Sequence, residues 1–568
     1  MSLPAEFTVV VFGILLALVA PLSLKQTRDA AGRVLRGIGR SNCLTLVVAF
    51  AMPLVILPLL TLRSGIPLPY VHDEFVYLLM GETFSRGELT NPTPEHAEHF
   101  RSPHLILEPT YQGKYPVGQA LFLAIGQGIT GYPIAGVWLS FALASGAVCW
   151  LLQAWMPNRW ALLGALLFSM HPMISIAWGE TYWGGAVAAL GGALVFGSIA
   201  RLEVRRTWKS AVALGIGLTA LANSRPYEGL VASLPAAVWF GWICWTAIRQ
   251  GDLKGVATTV LTTLSVLAVG LLMFASYNQA VTGAPWKMPY QVWVEQTLDT
   301  SSIGSLLVDQ DASTKKVLGA RSGESAGGLL ALPKWQFKLL RHYFFFLRVA
   351  LIVPLLAVPW ILRKQRIAVL VLVYVLVAGC VIVNQHSGWP HYYAPATPLL
   401  FVLVVSGIRQ MSASGVRLRC LATVCTFAVI ASGALAQWEW SGSPYEPSKQ
   451  WVYARAEVEQ FLGERDRGQV VAVRYHKGRD VGDEWVWNTG RPNSQKVIWV
   501  HALDEASLNE LLQDHTERDA WILNVGRTNC RLRRYRRDYP AYEEEFVFAF
   551  KPDQGERRVL KGGLAESG

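Results

Sequence analysis

The chain has 568 residues, 52% of them hydrophobic and only 16% charged. A single compact soluble core does not account for that balance, and a multi-span membrane protein does. The formal net charge of +11 does not indicate nucleic acid, because the basic residues fall in short loops between apolar runs, the positive-inside arrangement.

The first apolar run, residues 7 to 24, follows Glu6 with no Lys or Arg before it and precedes Lys25, Arg28, Arg33, Arg36 and Arg40. A secretory signal has the opposite polarity, so a retained span with its N-terminus outside is expected. Further basic loops carry Arg201, Arg205, Arg206 and Lys209, then Arg363, Lys364 and Arg366, then Arg409, Arg417 and Arg419. Working from them predicts spans near 7–24, 43–62, 133–152, 160–177, 183–200, 210–224, 228–248, 256–276, 340–362, 367–384, 392–408 and 420–437. Runs of this kind suffice to cross roughly 30 Å of hydrocarbon at 1.5 Å per residue.

Between the second and third of these lies the most polar stretch of the N-terminal half. It runs from Tyr70-Val71-His72-Asp73-Glu74-Phe75 to Gly113-Lys114-Tyr115-Pro116-Val117-Gly118 and carries more Asp and Glu than Lys and Arg. An acidic loop of this kind belongs on the outer face. Asp73 and Glu74 are open to two readings. A carboxylate at a helix N-cap with another in the first turn stabilises the start of any helix, and a carboxylate pair at a membrane surface can serve as a general base. His96, His99 and His104, beside Glu95 and Glu98, can hold a divalent cation or stay solvated; no other cofactor is expected.

The apolar segment 116–130 is too short to cross. Counting it as a span would place the Arg201–Lys209 loop outside, against the charge rule, so it is expected to lie along or dip into the outer leaflet. With that choice Glu180, Arg225, Tyr227, Glu228, the long loop 277–339 and the segment from His386 to His391 share the outer face. Arg225 stands at the outer end of a span, Lys287 follows Trp286, and Arg341 and His342 stand at a span entrance. Arg348 lies inside a span, where a charge costs at least about 2.5 to 3.5 kcal/mol unless it snorkels or is paired. Arg225 and Arg348 rank first as ligands for a phosphate; Lys287 and Arg341 read equally well as interface anchors. Tyr115, Trp178, Trp183, Trp293, Trp389 and Tyr392 fit either sugar stacking or an aromatic belt.

The cysteines sit in or beside spans except Cys530, and no spacing marks a disulfide framework or a zinc site. From about Trp438 the composition becomes soluble. Strand-like runs at 470–473, 497–500, 520–523 and 546–548, with a helical pattern at 507–512, predict a small α/β domain. The tail 554–568 is expected to fray.

The order of these motifs resembles the GT-C superfamily of polytopic glycosyltransferases, in particular the dolichyl-phosphate-mannose protein mannosyltransferase and lipid A aminoarabinose transferase group. The matching features are Asp73-Glu74 at the start of the first large outer loop, Lys114-Tyr115-Pro116 opening a juxtamembrane helix, and His391-Tyr392-Tyr393-Ala394-Pro395 at a late span entrance. Two features depart from the group's pattern: an additional leading span, and Lys-Tyr-Pro-Val where Lys-Pro-Pro is common. The fold class expected is an α-helical polytopic membrane protein, GT-C-like, of about twelve spans plus juxtamembrane helices, with a C-terminal extracytoplasmic α/β domain. The membrane domain covers 1–440, with outer loops 63–115 and 277–339, and the soluble domain covers 441–568.

The resemblance implies a polyprenyl-phosphate-linked sugar as donor and a lipid, glycan or protein acceptor in the cell envelope, reached at the periplasmic face of the inner membrane. It further implies Asp73 as catalytic base, assisted by Glu74. Lys114, Tyr115, Glu180, Arg225, Glu228, Lys287, Arg341, Arg348, His391 and Tyr392 are the expected substrate ligands, with membrane lipids as the surroundings. A transporter or lipid flippase is the main alternative, although the sequence shows no inverted repeat or interrupted span. An assembly factor built around the C-terminal domain is a third reading.

Overall fold

A computed structural model describes residues 3–20, 22, 24–299, 338–339, 342–362, 365–384, 389–442, 450–476, 483–535 and 545–550. Arg341 and His386 lie outside the described residues, as does the tail from 551. The chain divides into two units. The first comprises Met1–Pro67, Pro116–Phe274 and Leu329–Ser443, and the second Leu68–Tyr115, Ala275–Gly328 and Pro444–Gly568.

The first unit is a helical bundle. Among the described residues, six helices are long and apolar enough to cross a membrane: Asn42–Ser64, Ile134–Gln153, Ala186–Val204, Pro226–Arg249, Leu253–Thr282 and Val416–Trp440. They divide by what surrounds them. Ala186–Val204 is largely buried among its neighbours, whereas Asn42–Ser64 and Leu253–Thr282 bury only 22% of their apolar window. Leu62, Val238, Trp242 and Leu272 accordingly stand exposed, a surface suited to hydrocarbon, with backbone polar groups satisfied within each helix. Small residues bring Ala186–Val204 against Trp208–Ala222: a Cβ on Gly191 would meet the Gly217 carbonyl at 3.0 Å, and one on Gly217 would meet Gly191 O at 2.9 Å. Close backbone approach of this kind drives helix association where the hydrophobic effect is absent.

Interrupted helices, expected from the sequence to be absent, are present. Asn158–Ser169 and Pro172–Gly179 form a pair bent by 66°. Pro172 has no N–H to continue the first helix, and the His171 ring instead accepts from the Ile174 N–H at 3.4 Å, capping the second. The segment from 343 is also broken. A π-turn, Tyr343–Leu347, precedes the short helices Arg348–Leu355 and Val358–Ile361, and Arg348 adopts φ 30°, a strained value for a residue with a side chain. Shorter apolar helices occupy Trp208–Ala222, Ile367–Val383 and Thr397–Ala413. Gly118–Thr130 is a separate short helix, and Lys25–Ile38 forms an amphipathic helix that the basic-loop reading did not anticipate.

In the second unit the acidic loop is not free-standing. Its helix His72–Ser85 is followed by the hairpin β1 (Leu105–Ile106) and β2 (Gln112–Gly113). The C-terminal segment forms a five-stranded sheet from β3 (Gly468–Tyr475), β4 (Val497–His501), β5 (Arg518–Val525), β6 (Asn529–Tyr535) and β7 (Glu545–Ala549), in the order β4-β3-β5-β6-β7. β3 pairs in parallel with β4 and β5, and β5–β6 and β6–β7 are antiparallel. Parallel pairing requires a crossover. The helix Glu505–Gln513 supplies it between β4 and β5, started by Asp504 Oδ1 accepting from the Ala506 and Ser507 N–H groups at 3.0 and 2.9 Å.

The loop and the sheet share one core, in which Phe100 packs with Val470, Ile498, Val500, Leu508 and Ile522. The His99 Nδ1–H donates to the His501 carbonyl at 2.6 Å, and the His501 Nε2–H donates to the Arg101 carbonyl at 2.7 Å. Phe75 stacks on Trp487 at 4.9 Å with an interplanar angle of 8°.

Candidate active site

Within the second unit the helix His72–Ser85 presents Asp73 and Glu74 in its first turn, where the helix dipole favours negative charge. The N-cap residue is Val71, not Asp73. Glu74 reaches back and accepts from the Tyr70 and Val71 N–H groups at 2.8 and 3.2 Å, satisfying donors at a helix start. It is only 1% exposed. The two carboxylates therefore separate: Glu74 is turned into the fold, while the Asp73 side chain remains 27% exposed.

Asp73 Oδ1 accepts the Tyr115 hydroxyl at 2.8 Å, and His104 Nε2 stands 3.6 Å from the same oxygen. β1 and β2 bring His104 and Lys114 together, since the Lys114 N–H donates to the His104 carbonyl at 3.1 Å. His104 takes a left-handed backbone, φ 69°. Its ring contacts His72, Tyr115 and Trp293 at 5.8, 5.8 and 5.6 Å, and its Nδ1 is buried with no hydrogen-bond partner among the described residues. Burial first, then the Lys114 ammonium and His72, hold the His104 imidazole well below its usual pKa. His104 is thus a neutral ring beside a carboxylate.

Lys114 is 7% exposed. Its Nζ lies 3.3 Å from the Trp293 ring centroid, with Tyr290 and Tyr115 at 5.3 and 5.4 Å. Burial lowers its pKa from 10.5 to about 7, with Asp73 pulling in the opposite direction. Lys114 is an amine balanced near neutrality among aromatic faces, within electrostatic reach of an open carboxylate. Tyr77 stacks on Tyr115 at 5.0 Å, fixing the ring whose hydroxyl holds Asp73. Lys287 is not part of the arrangement: its ammonium pairs with Glu295 at 2.6 Å at the surface of the unit.

The first unit holds a second cluster. Arg225, at the N-cap of Pro226–Arg249, places its guanidinium carbon 5.2 Å from the Tyr392 ring. Tyr392 contacts His391 at 4.5 Å, His391 contacts Trp183 at 5.2 Å, and Trp183 contacts Trp389 at 5.6 Å. Glu180, at the C-cap of Pro172–Gly179, and Glu228, in the first turn after Arg225, are both buried. Arg348 is buried as well, within electrostatic reach of His171, whose Nε2–H donates to the Phe346 carbonyl at 3.2 Å. Phe346 and His342 both pack on Tyr393, at 5.6 and 4.3 Å. Of His171 and His342, only the second was named from the sequence, beside Arg341 at a span entrance. The His-Pro step at the broken span was the available signal for the first.

Among the described residues no group of three His, Cys, Asp or Glu side chains is arranged to hold a metal ion. The His96, His99 and His104 trio turns to different partners, with His96 Nε2 2.8 Å from Asp514 Oδ2.

No family model and no curated protein matches the sequence. The chain is similar to solved structures at fold level only. An oligosaccharyltransferase from Archaeoglobus fulgidus, in complex with zinc and sulfate, is 14% identical, with 84% of this chain and 67% of that chain covered and a TM-score of 0.48. The archaeal oligosaccharyltransferase AglB from Archaeoglobus fulgidus, with an inhibitory peptide and a dolichol-phosphate, is 12% identical over 85% of this chain and 69% of that chain, TM-score 0.47. ArnT from Cupriavidus metallidurans, bound to undecaprenyl phosphate, is 12% identical over 84% of this chain and 92% of that chain, TM-score 0.46.

Proposed function

We propose that the chain is a glycosyltransferase that moves a sugar from a polyprenyl-phosphate donor to a cell-envelope acceptor at the periplasmic surface of the inner membrane, in the setting of about twelve crossings. The observation that carries the reading is the Asp73 carboxylate: oriented by the Tyr115 hydroxyl, still open to solvent, and beside Lys114 among Trp293, Tyr290 and Tyr115. In this reading Asp73 takes the proton of the acceptor hydroxyl. The acceptor oxygen then bonds the anomeric carbon, and the bond from that carbon to the phosphate oxygen breaks, with the electron pair leaving on the phosphate. Aromatic faces suit sugar rings, and Lys114, when protonated, is a ligand for substrate oxygens.

Glu74 takes the role of a positioning residue, holding the helix start that presents Asp73. Arg225 and Arg348 are proposed as ligands of the lipid phosphate, since guanidinium matches phosphate geometry with paired N–H groups. Glu180, Glu228, His391 and Tyr392 are proposed as sugar-contacting residues in the first unit. Asp73→Asn tests the reading: labelled sugar from a polyprenyl-phosphate donor should no longer be transferred, while the variant elutes and melts as wild type does. Unchanged turnover would refute the role of Asp73.

One observation favours a second reading. The 66° break at His171-Pro172 and the strained turn at Arg348 are interruptions of the kind transporters use near the membrane centre. A transporter or flippase would translocate a labelled polyprenyl-phosphate sugar in vesicles without incorporating the label into an acceptor.

A further inference from the structure

The first unit contains a cavity of about 640 Å³ bounded by the amphipathic helix Lys25–Ile38 and the helices Asn158–Ser169, Thr397–Ala413 and Val416–Gly442. Its wall is apolar over Leu163, Leu166, Phe427 and Ile430, and its mouth carries Arg28, Arg36, Arg159 and Arg419. Asp29 is the one acidic residue in the lining, and it pairs with Arg28 at 3.0 Å. Arg419 spends its Nε on the Ser412 carbonyl at 2.7 Å. Among the described residues Arg36 and Arg159 have no carboxylate partner.

The cavity is built, not a loose gap. Asn158 Nδ2 donates to the Gly39 carbonyl at 3.0 Å, and a Cβ on Gly39 would meet the Arg159 backbone nitrogen at 3.0 Å. These contacts dock the end of the amphipathic helix against the start of Asn158–Ser169. From Arg159 to Leu166 and from Arg419 to Ile430 the walls descend roughly 10 to 17 Å at 1.5 Å per residue. The arginines sit near helix ends and the apolar residues lie further along the same helices.

We propose that this cavity binds an acidic diacyl phospholipid of the basic-side leaflet, its phosphate held by Arg36, Arg159 and Arg419 and its chains running along Leu163, Phe427 and Ile430. Charge complementarity selects the occupant. Guanidinium groups without carboxylates of their own, above an apolar descent, match an anionic headgroup with hydrocarbon below it. The side chains are arginines and not lysines, which suits paired N–H contacts to phosphate oxygens. The amphipathic helix, with Val34 exposed among its basic residues, has the composition of an interfacial helix. This site is independent of the glycosyltransferase reading and shares no residue with Asp73, Lys114, Arg225 or Arg348.

The test is lipid retention by the full-length protein. Purified chain is equilibrated with phosphatidylglycerol, phosphatidylcholine and undecaprenyl phosphate, and bound lipid is read by native mass spectrometry. Phosphatidylglycerol should be retained about tenfold over phosphatidylcholine, the ratio one charge-assisted contact of about 1.4 kcal/mol supplies. The double variant Arg36→Gln with Arg159→Gln should lose that preference while melting as wild type does in phosphatidylcholine. If the double variant does not fold, Ala31→Phe, which narrows the cavity from the amphipathic helix, should displace the lipid while leaving the arginines in place. Equal retention of the two phospholipids, an undiminished preference in a folded variant, or stronger retention of undecaprenyl phosphate than of phosphatidylglycerol would each overturn the proposal.

Discussion

Lys114 offers the sharpest quantitative test of the site. Its ammonium is buried against Trp293, and its pKa falls from 10.5 to about 7. Between those two values the unfolded chain holds a proton that the native chain has released. Stability should therefore rise with pH across this window, by at most about 1.4 kcal/mol per pH unit from this one group, with the cost complete below the lower value. Lys114→Met keeps a long flexible side chain and removes the titration. The variant should be more stable than wild type near pH 7 and should converge on it near pH 10. The difference at pH 7 should amount to several kcal/mol at most, less about 0.5 to 2 kcal/mol for the lost contact with Trp293. Denaturant unfolding followed by tryptophan fluorescence at pH 7, 8 and 9, in one detergent, measures the difference directly. A stability difference between the two proteins that does not change with pH would show that Lys114 is not held near neutrality, and the electrostatic account of the site would fail. The same titration bears on binding: if protonated Lys114 contacts substrate oxygens, donor affinity should weaken as pH rises through about 7, and Lys114→Met should flatten that profile.

Asp73 and Glu74 should part company. Asp73→Asn should lower kcat about 10²- to 10⁴-fold with little change in melting temperature, whereas Glu74→Gln should keep most turnover and Glu74→Ala should cost about 2 to 4 kcal/mol of stability through two lost charge-assisted bonds; Glu74→Gln abolishing transfer in a fully stable protein would reverse the assignment. Tyr115→Phe removes the 2.8 Å bond to Asp73 and should slow transfer about tenfold, the equivalent of roughly 1.4 kcal/mol, read as kcat at saturating donor. Gly192→Ala would set a Cβ 1.9 Å from the Pro395 carbonyl and should cost about 1 to 3 kcal/mol or more, while Gly128→Ala, with nothing within 4 Å, should stabilise its helix by up to about 1 kcal/mol; thermal melting of both in the same detergent decides it.

Much of the architecture was legible because it follows from local periodicity and hydropathy. Most of the apolar runs became helices, although the run at 160–177 and the described part of 340–362 are broken and six helices among the described residues are long enough to cross; Gly118–Thr130 formed as a separate short helix. In the C-terminal segment the apolar runs at 470–473, 497–500, 520–523 and 546–548 each lie inside a strand. β6 escaped notice because its buried Cys530 and Leu532 alternate with arginines, so its mean character reads as polar. The breaks in the two interrupted helices were also hidden. Hydropathy averages over a window of many residues and does not register a single missing N–H at Pro172 or one unusual φ at Arg348.

The site divides along the same line. By itself the sequence determined that Asp73 and Glu74 would open a helix and that Lys114 and Tyr115 would precede another, because capping and helix propensity act between near neighbours; many of the cations it assigned to loops, among them Arg28, Arg36, Arg201 and Arg419, lie in helices instead. Only the tertiary structure decided which carboxylate stays open, that Glu74 would be consumed by the Tyr70 and Val71 amides, that His104 and Trp293 would complete the surroundings of Asp73 and Lys114, and that the acidic loop would share a core with strands some four hundred residues further along. The reason is physical: burial and desolvation are set by every atom that closes around a group, and in this chain those atoms come from segments whose distance in sequence carries no record of their contact.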